Sequence, residues 1–239
     1  MKKVMLVTGG SRGIGLAVVK KFHELGWAVA TCATSEKSLQ GNPADFKFIC
    51  DVSNVDQVKN GVQQVMDKFG RIDALVNNAG VAGGNSFNPK KDDEAWHHIV
   101  NVNLNGTYYF CKYAGSLLPN ETGRIVNFSS ILGLKGVPDA TAYCAAKHGV
   151  LGLTKSLAHS FAPRKITVNA ICPGWVKTDM AQERFDDIGI TEKEAAQGMP
   201  LGKIIDPSEI ADWVAFLVTS PGASMMTGQS IVVDGGSLA

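Results

Sequence analysis

The 239-residue sequence predicts an α/β protein, with a doubly wound parallel sheet of seven strands between two layers of helices. Three observations favour this three-layer α/β/α fold. Short apolar runs alternate with longer amphipathic runs from one end of the chain to the other. The short runs are continuously apolar, which is typical of strands buried on both faces. The connections are short, so residues 1–239 are predicted to form a single domain.

In the first half, each strand is followed by a turn and then by the next element. Val4–Val7 is a predicted buried strand that ends in a glycine-rich turn. The helix after it has apolar residues at helical spacing and ends at Gly26. Ser53 is the predicted cap of the second helix. The elements predicted after the first strand are helix Leu16–Leu25, strand Ala28–Ala33, strand Phe46–Cys50 and helix Val55–Phe69.

The second half continues the alternation with longer helices. The predicted strands are Asp73–Asn77, Ile125–Phe128, Thr167–Ile171 and Ser230–Val233, and the predicted helices are Glu94–Leu118, Tyr143–Phe161 and Pro207–Leu217. The stretch Asp179–Pro200 is polar with scattered apolar residues, which indicates a substrate lid or a surface excursion of two short helices. This stretch and the loop Val81–Asn88 are expected to shape the pocket.

Composition excludes several classes of protein. Lys and Arg number 23 against 22 Asp and Glu, so the formal charge of +1 argues against a nucleic-acid partner and against membrane attachment by charge. The sequence contains no stretch of about 18 consecutive apolar residues, so no membrane span is predicted. The five cysteines are scattered and lack zinc-ligand spacing, so we predict reduced thiols, no metal site and a cytoplasmic location.

The turn Gly9–Gly15 joins the first strand to the first helix with the pattern G-x-x-x-G-x-G. Glycines let the backbone approach a pyrophosphate closely, and the helix N-terminus offers free N–H groups and a partial positive charge. Glycine-rich turns also occur merely for tight packing. Because this turn follows the first strand of an α/β pattern, we predict a dinucleotide site.

The end of the second strand indicates which dinucleotide is bound. A carboxylate there would accept from the ribose 2′-hydroxyl of NAD and repel a 2′-phosphate. This strand is followed by Thr34 and Ser35, with no acid until Glu36, and Arg12 lies in the turn. A guanidinium suits a phosphate, so NADP(H) is favoured over NAD(H). The alternative is that Arg12 is a solvated surface residue.

Tyr143 and Lys147 lie one helical turn apart on the same face of a predicted helix. A phenol with a reference pKa of about 10 is a poor base at neutral pH unless a cation stabilises its phenolate. Lys147 would supply that cation, which predicts proton exchange between Tyr143 and a carbonyl or alcohol oxygen. Taken alone, such a pair is more often an aromatic residue at the edge of the core beside a solvated lysine.

Two further polar residues join this pair. Ser130 follows the strand Ile125–Phe128, at the sheet edge where α/β proteins bind ligands, and its hydroxyl would donate to the substrate oxygen. Ser129 is the competing candidate, but Gly133 and the spacing to Tyr143 favour Ser130. Asn103 is a polar residue in an otherwise apolar helix, where a kink or a surface position is the simpler explanation.

Taken together, these motifs resemble the short-chain dehydrogenase/reductase family over essentially the whole chain. The resemblance includes the glycine turn, Asn103, Ser130, the Tyr143/Lys147 pair and the segments Asn77–Gly80, Pro173–Gly174 and Asp234–Gly236. Within the family, the chain is most similar to 3-oxoacyl-acyl-carrier-protein reductases and to polyketide ketoreductases.

The resemblance implies a Rossmann-like sheet, a triad of Ser130, Tyr143 and Lys147, and a water on Asn103 that links Lys147 to solvent. It also implies a homotetramer, paired through two long helices and through the last strand. The cofactor-binding residues predicted from the turn and the resemblance are Gly9, Ser11, Arg12, Gly13, Ile14, Gly15, Thr34, Asp51, Val52, Asn78, Ala79, Gly80, Tyr143, Lys147, Pro173, Gly174, Val176 and Thr178.

The predicted function is NADPH-dependent reduction of a 3-oxoacyl thioester or related ketone, carried by an acyl carrier protein or by CoA. The alternatives are an NAD(P)-dependent secondary alcohol or hydroxy-acid dehydrogenase and a catalytically silent NADP-binding regulatory protein. The chain departs from the family at Glu36–Asp45, where ten residues replace a crossover helix. We predict a short helical turn or loop there, which exposes the adenine pocket. Near the entrance, Pro119–Thr122 is acidic, with Arg164 and Lys165 as the nearby basic residues.

Overall fold

The computed structural model describes residues 1–85, 87–88, 90 and 93–239. Within these residues, seven strands form one sheet, and every pair of neighbours is parallel. The strands are β1 (Val4–Thr8), β2 (Ala28–Ala33), β3 (Phe46–Ile49), β4 (Ala74–Asn77), β5 (Arg124–Phe128), β6 (Thr167–Pro173) and β7 (Ser230–Val233). Their order is β3-β2-β1-β4-β5-β6-β7, which confirms the predicted doubly wound sheet.

The helices cover both faces of the sheet. They are α1 (Gly13–Glu24), α2 (Val55–Phe69), α3 (Glu94–Val100), α4 (Gly106–Tyr113), α5 (Thr141–Phe161), α6 (Asp179–Ile188), α7 (Glu192–Gln197) and α8 (Pro207–Thr219). Helices α1 and α8 pack with one apolar core, while α2, α4 and α5 pack with the other. The three-layer prediction is confirmed. No helix among the described residues is long and apolar enough to cross a bilayer.

The strand order reverses between β1 and β4, which lie side by side with Thr8 opposite Asn77. The connections from these two strands leave in opposite directions, so a crevice opens at their carboxyl ends. The side chain of Asn78 crosses this point, and its Nδ2 donates to the carbonyl oxygens of Thr8 and Gly9, both at 3.0 Å. The glycine turn is therefore held to the end of β4.

Several predicted helix boundaries are wrong, including the start of α5, which lies at Thr141 rather than Tyr143. The segment Glu94–Leu118 is not one helix, because a π-helical turn at Asn101–Asn105 separates α3 from α4. Helix α1 begins at Gly13 rather than Leu16, so the helix starts within the glycine-rich turn. The cap of α2 is Asn54 rather than Ser53, because the Asn54 side chain accepts from the amides of Asp56 and Gln57.

Two irregular segments agree with their predictions better than the helix boundaries do. Between β2 and β3, Lys37–Leu39 forms a single 3-10 turn, as expected for a segment too short for a crossover helix. The stretch 179–200 contains α6 and α7, which is the two-helix alternative. Helix α6 nevertheless borders the crevice, so a lid function for this stretch stays a prediction.

Candidate active site

A cavity of about 960 Å³ lies at the carboxyl ends of the strands. Its walls come from the ends of β1, β2, β4, β5 and β6 and from α5 and α6. The four predicted catalytic residues, Asn103, Ser130, Tyr143 and Lys147, all line it. The fold therefore brings together side chains from the π-helical turn, the segment after β5 and the start of α5.

The glycine turn forms one wall and fits a phosphate group. Gly9 has a φ of +66°, and a Cβ atom there would lie 2.8 Å from the Cα of Ala79. Gly13 also has a positive φ, and a Cβ on it would lie 3.0 Å from the Thr178 side chain. Helix α1, which is fully described, has no acidic residue in its first turn and no side-chain cap. Its first residues, Gly13 and Ile14, line the cavity, so uncapped N–H groups at this helix terminus suit the pyrophosphate of a dinucleotide.

Of the predicted cofactor-binding residues, all but Gly15 line this cavity. Gly15 is buried behind the turn, where a Cβ atom would lie 2.2 Å from the carbonyl oxygen of Gly9. Its hydrogen side chain therefore lets α1 start close beneath the turn. The structure gives Gly15 a packing position rather than a cavity-facing one.

Arg12 lies at the cavity mouth but is already paired. Its Nη1 lies 3.1 Å from Asp179 Oδ2 and 3.5 Å from Glu183 Oε1, both on α6. The three side chains are 60–67% exposed, so these ion pairs are weak and exchangeable. Arg12 is close enough to the cavity to meet a phosphate, but it would have to leave α6 to do so.

The wall beyond β2 and β3 contains residues that the sequence analysis missed. Cys32, Cys50 and Ser38 line the cavity there together with the predicted Thr34 and Asp51. Cys32 lies near the end of β2 and Cys50 directly follows β3, and this position at one sheet edge is the signal that could have identified them. Among the described residues that line this wall, Asp51 is the one acid. Its Oδ1 accepts from the amide and the hydroxyl of Ser53.

Tyr143 and Lys147 lie together in the first turns of α5. The Lys147 Nζ is 5.4 Å from the centre of the Tyr143 ring and donates to the carbonyl oxygen of Phe128 at 3.0 Å. The lysine is 4% exposed. Its ammonium is thus fixed between the end of β5 and the tyrosine, within the cavity wall.

Burial governs the protonation of both groups. It raises the pKa of Tyr143 to about 12, although a hydrogen bond with Ser130 acts to lower it. It lowers the pKa of Lys147 to about 8. In this structure burial is therefore the largest influence on the pKa of Tyr143, and it raises that pKa rather than lowering it. At neutral pH the phenol is protonated and the amine is mostly charged, a state prepared to donate a proton.

The two neighbouring serines have different positions. Ser129 is 4% exposed, and its hydroxyl donates to the carbonyl oxygen of Lys147 at 2.9 Å. Ser130 is half-buried, accepts from the Leu132 amide at 3.1 Å and lies close enough to Tyr143 to lower the pKa of its phenol, against the larger effect of burial. The geometry therefore favours Ser130 over Ser129 as the group that meets a substrate.

Asn103 lies in the π-helical turn and is 1% exposed. Its Nδ2 donates to the carbonyl oxygens of Val81 and Ile99, at 2.8 and 2.9 Å. A Cβ atom on Gly80 would lie 2.6 Å from Asn103 Oδ1 and 3.6 Å from Lys147 Nζ, so both polar groups border this glycine. A π-turn often marks a functional position, and here it turns the asparagine inward.

The remaining wall is mostly apolar and was only partly predicted. Its side chains include Ile131, Leu132, Val137, Trp175, Met180 and Ile188, together with His98, Lys135 and Arg184. No pattern in the sequence marks these residues, because they come from separate loops and from α6. In the predicted pocket loop, Val81, Ala82 and Gly83 line the cavity, whereas Ser86 lies outside the described residues.

Comparison with known proteins agrees with this geometry. The model of a family described as enoyl-(acyl carrier protein) reductase matches residues 9–237. A putative ketoacyl reductase of Streptomyces coelicolor is 40% identical, over 98% of this chain and 96% of its own. A 3-oxoacyl-acyl-carrier-protein reductase of Vibrio harveyi is 38% identical, over 98% and 96%. The crystal structure of a single-substitution variant of the actinorhodin polyketide ketoreductase with NADPH has a TM-score of 0.91 and 39% identity, over 99% and 97%.

These matches span almost the full length of both partners, and they extend across the glycine turn, the catalytic candidates and the last strand. The resemblance seen in the sequence is therefore confirmed: the chain belongs to the short-chain dehydrogenase/reductase family.

Proposed function

We propose that this protein is an NADPH-dependent ketoreductase that converts a 3-oxoacyl thioester or related ketone to the corresponding hydroxy compound. One observation carries the proposal. A protonated tyrosine, next to Ser130 and backed by the ammonium of Lys147, shares a cavity with the N-terminus of α1. A proton donor and a dinucleotide cradle in one cavity are what carbonyl reduction requires.

When bound, the nicotinamide supplies the hydride. The protein supplies the rest of the reaction. Ser130 and Tyr143 donate hydrogen bonds to the carbonyl oxygen and so fix the ketone in place. As negative charge develops on that oxygen, Tyr143 donates its proton to it. The resulting phenolate is stabilised by the ammonium of Lys147, whose position the Phe128 carbonyl holds.

Reprotonation of Tyr143 would use the buried lysine. Because burial lowers the pKa of Lys147 to about 8, its ammonium releases a proton more readily than an exposed lysine does. Asn103 borders the same glycine as Lys147 and would hold the water that connects it to solvent. The carbonyl group of Asn103 can accept from a water while its amide stays bound to Val81 and Ile99.

The preference for NADPH rests on charge at the adenosine end. Thr34, Ser35 and Ser38 place hydroxyl groups beyond β2, and Arg12 provides the cation. The 2′-phosphate would compete with two α6 carboxylates for that arginine. A phosphate carries about two negative charges and binds a guanidinium in a bidentate manner, so it is the stronger partner.

The carrier of the substrate is either an acyl carrier protein or CoA. The expected position of Arg164 and Lys165 near the entrance is wrong: they precede β6, at the amino ends of the strands and opposite the cavity, because the segment before β6 packs against the one before β5. Lys165 pairs with Glu121 at 2.8 Å, and Arg164 donates to Asn120 and to backbone carbonyls. Because both residues lie away from the cavity, they do not favour an acidic carrier over CoA, and experiment must separate the two carriers.

A homotetramer and a cytoplasmic location complete the proposal. Large apolar side chains are exposed on α4, α8 and β7, where pairing between copies would cover them: Tyr108, Trp213, Phe216 and Val232. The five cysteines are free thiols, which suits a reducing compartment. Sedimentation velocity would test the assembly, since a monomer at micromolar concentration contradicts it.

The function is tested by following the loss of NADPH absorbance with matched substrates. A 3-oxoacyl group would be offered on acyl carrier protein, on CoA and as a simple ester, with an enoyl thioester as the control for reduction of a C=C bond. We expect turnover of the ketones, slower turnover with NADH and none of the enoyl thioester. Turnover only of alcohols with NAD⁺ would establish the dehydrogenase alternative, and NADPH binding without any turnover would establish the regulatory one.

A further inference from the structure

The first turn of α5, which carries Tyr143, is capped by a residue from a distant loop. Its own N-cap position, Ala140, offers no side-chain acceptor. Instead, Asn85 reaches across from the loop that follows β4. The Asn85 Oδ1 accepts from the Ala142 amide at 2.9 Å, and its Nδ2 donates to the Thr141 hydroxyl at 2.7 Å.

The backbone of Asn85 is attached to the same place. Its amide donates to the carbonyl oxygen of Asp139 at 2.8 Å. Asp139 has a φ of +63°, a conformation that costs free energy for any residue with a side chain and needs support from its surroundings. Part of that support comes from Arg184 of α6, whose Nη2 donates to both carboxylate oxygens of Asp139 at 2.9 and 3.0 Å.

The other end of this loop is attached to Asn103. The Val81 carbonyl accepts from Asn103 Nδ2 at 2.8 Å, and the Val81 amide donates to Asn103 Oδ1 at 3.3 Å. The segment from Val81 to Asn85 therefore bridges the π-helical turn and the start of α5. Val81, Ala82 and Gly83 also line the cavity, so the same short loop forms part of the substrate wall.

We propose that Asn85 is a positioning residue for the reaction, which holds Tyr143 in place by capping α5 from the loop after β4. This inference rests on the proposed ketoreductase function. Tyr143 is the third residue of α5, one position beyond the amide that Asn85 caps. Fraying of that turn would move the phenol relative to Ser130 and the nicotinamide. A displacement of about 1 Å can cost on the order of a hundredfold in rate.

The test compares Asn85→Ala with the conservative Asn85→Asp. Alanine removes the acceptor, whereas an aspartate carboxylate still accepts from the Ala142 amide and from the Thr141 hydroxyl, and favours the helix N-terminus. For Asn85→Ala we expect kcat to fall about tenfold or more, while KM and the NADPH Kd change by less than about twofold. For Asn85→Asp we expect kcat within about threefold of the parent.

A matched control comes from α8, which carries none of the proposed catalytic residues. Asp206 caps α8 by accepting from the Ser208 amide at 2.8 Å, much as Asn85 caps α5. Asp206→Ala should lower the free energy of unfolding about as much as Asn85→Ala, yet keep its kcat. If both variants lose kcat equally, general destabilisation explains the loss and the proposal is wrong.

Amide hydrogen exchange provides a readout without turnover. We expect faster exchange of the Ala142 to Cys144 amides in Asn85→Ala than in the parent or in Asn85→Asp. Unchanged exchange, an undiminished kcat in Asn85→Ala or failure of aspartate to restore kcat would each overturn the proposal. If the parent reduces no ketone at all, the proposed function fails, whereas the exchange experiment still decides whether Asn85 holds the start of α5.

Discussion

The ion pairs of Arg12 predict an unusual gain of function at the cofactor site. In the structure, this arginine pairs with Asp179 and Glu183 at 3.1 and 3.5 Å. A 2′-phosphate must displace both carboxylates, so part of its binding free energy is lost in breaking them. Asp179→Asn combined with Glu183→Gln should therefore tighten NADPH binding.

The expected gain in NADPH affinity follows from the solvent exposure of the paired side chains. Ion pairs between side chains exposed by 60% or more contribute about 0.2–1 kcal/mol each. Releasing two such pairs, about 0.4–2 kcal/mol together, predicts NADPH binding about twofold to thirtyfold tighter. NADH lacks the 2′-phosphate and need not displace the carboxylates, so its Kd should change much less.

A double-mutant cycle with Arg12→Ala isolates the effect. Alone, Arg12→Ala should weaken NADPH binding about tenfold to a hundredfold through the loss of a charge-assisted contact, with little change for NADH. In that background, neutralising Asp179 and Glu183 should give no NADPH-specific gain, because no guanidinium remains to be released. Fluorescence titration of both cofactors measures each Kd. An equal gain for NADH, or a gain that survives Arg12→Ala, refutes the reasoning.

Three further predictions concern catalysis and stability. Tyr143→Phe should keep its NADPH Kd and lose nearly all turnover, since the ring stays while the proton donor is removed; ketone reduction at the parental rate would contradict the assignment. Burial lowers the pKa of Lys147 to about 8, and the ammonium is the active form, so kcat should fall as the pH rises above about 8. In Lys147→Arg, whose side chain stays charged, any remaining activity should persist to higher pH, as a pH–rate profile would show. Asp73 is 3% exposed and accepts from the Val4 amide and from Arg71, both at 2.8 Å, at the opposite end of β4 from the site. Asp73→Ala should therefore lower the free energy of unfolding by about 2–3 kcal/mol in urea titrations while leaving kcat per folded molecule unchanged.

The sheet was predictable because each strand is marked by residues that are adjacent in the sequence. Continuous apolar runs such as Val4–Val7 are buried on both faces, and several end at glycine, asparagine or proline, as at Gly9, Asn77 and Pro173. The same locality explains why the candidate site was predictable. Ligands of a parallel sheet bind at the carboxyl ends of its strands, so polar residues just beyond β1, β4, β5 and β6 are the natural candidates.

What could not be predicted depends on contacts between distant segments. The pairs between Arg12 and α6 join residues more than 160 positions apart. The π-helical turn Asn101–Asn105 contains no glycine or proline, and Gly106, which directly follows it, is compatible with a continuous helix and does not predict the break. At this turn, Asn103 is buried and donates to the carbonyl oxygens of Val81 and Ile99. The contact with Val81 depends on the loop after β4, which is distant in the sequence.

The pKa of Tyr143 illustrates the same limit in chemical terms. From sequence alone, a lysine one helical turn away predicts a phenol whose pKa is lowered. In the folded chain, the ammonium lies 5.4 Å from the ring and is partly committed to the Phe128 carbonyl, while burial raises the pKa to about 12. Burial disfavours the phenolate until a second positive charge arrives. The oxidised nicotinamide would bring that charge, because its ring becomes positive as the hydride leaves.

It follows that the free enzyme and the reacting enzyme differ in where the proton is most stable. Before hydride transfer, burial keeps the proton on Tyr143, and the cavity is prepared to donate it. Once Tyr143 has donated its proton, Lys147 would stabilise the phenolate, and a bound oxidised nicotinamide would add a second positive charge to that effect. Since this coupling depends on the position of one hydroxyl within the cavity, the contacts that hold the first turn of α5 in place have a direct effect on the rate.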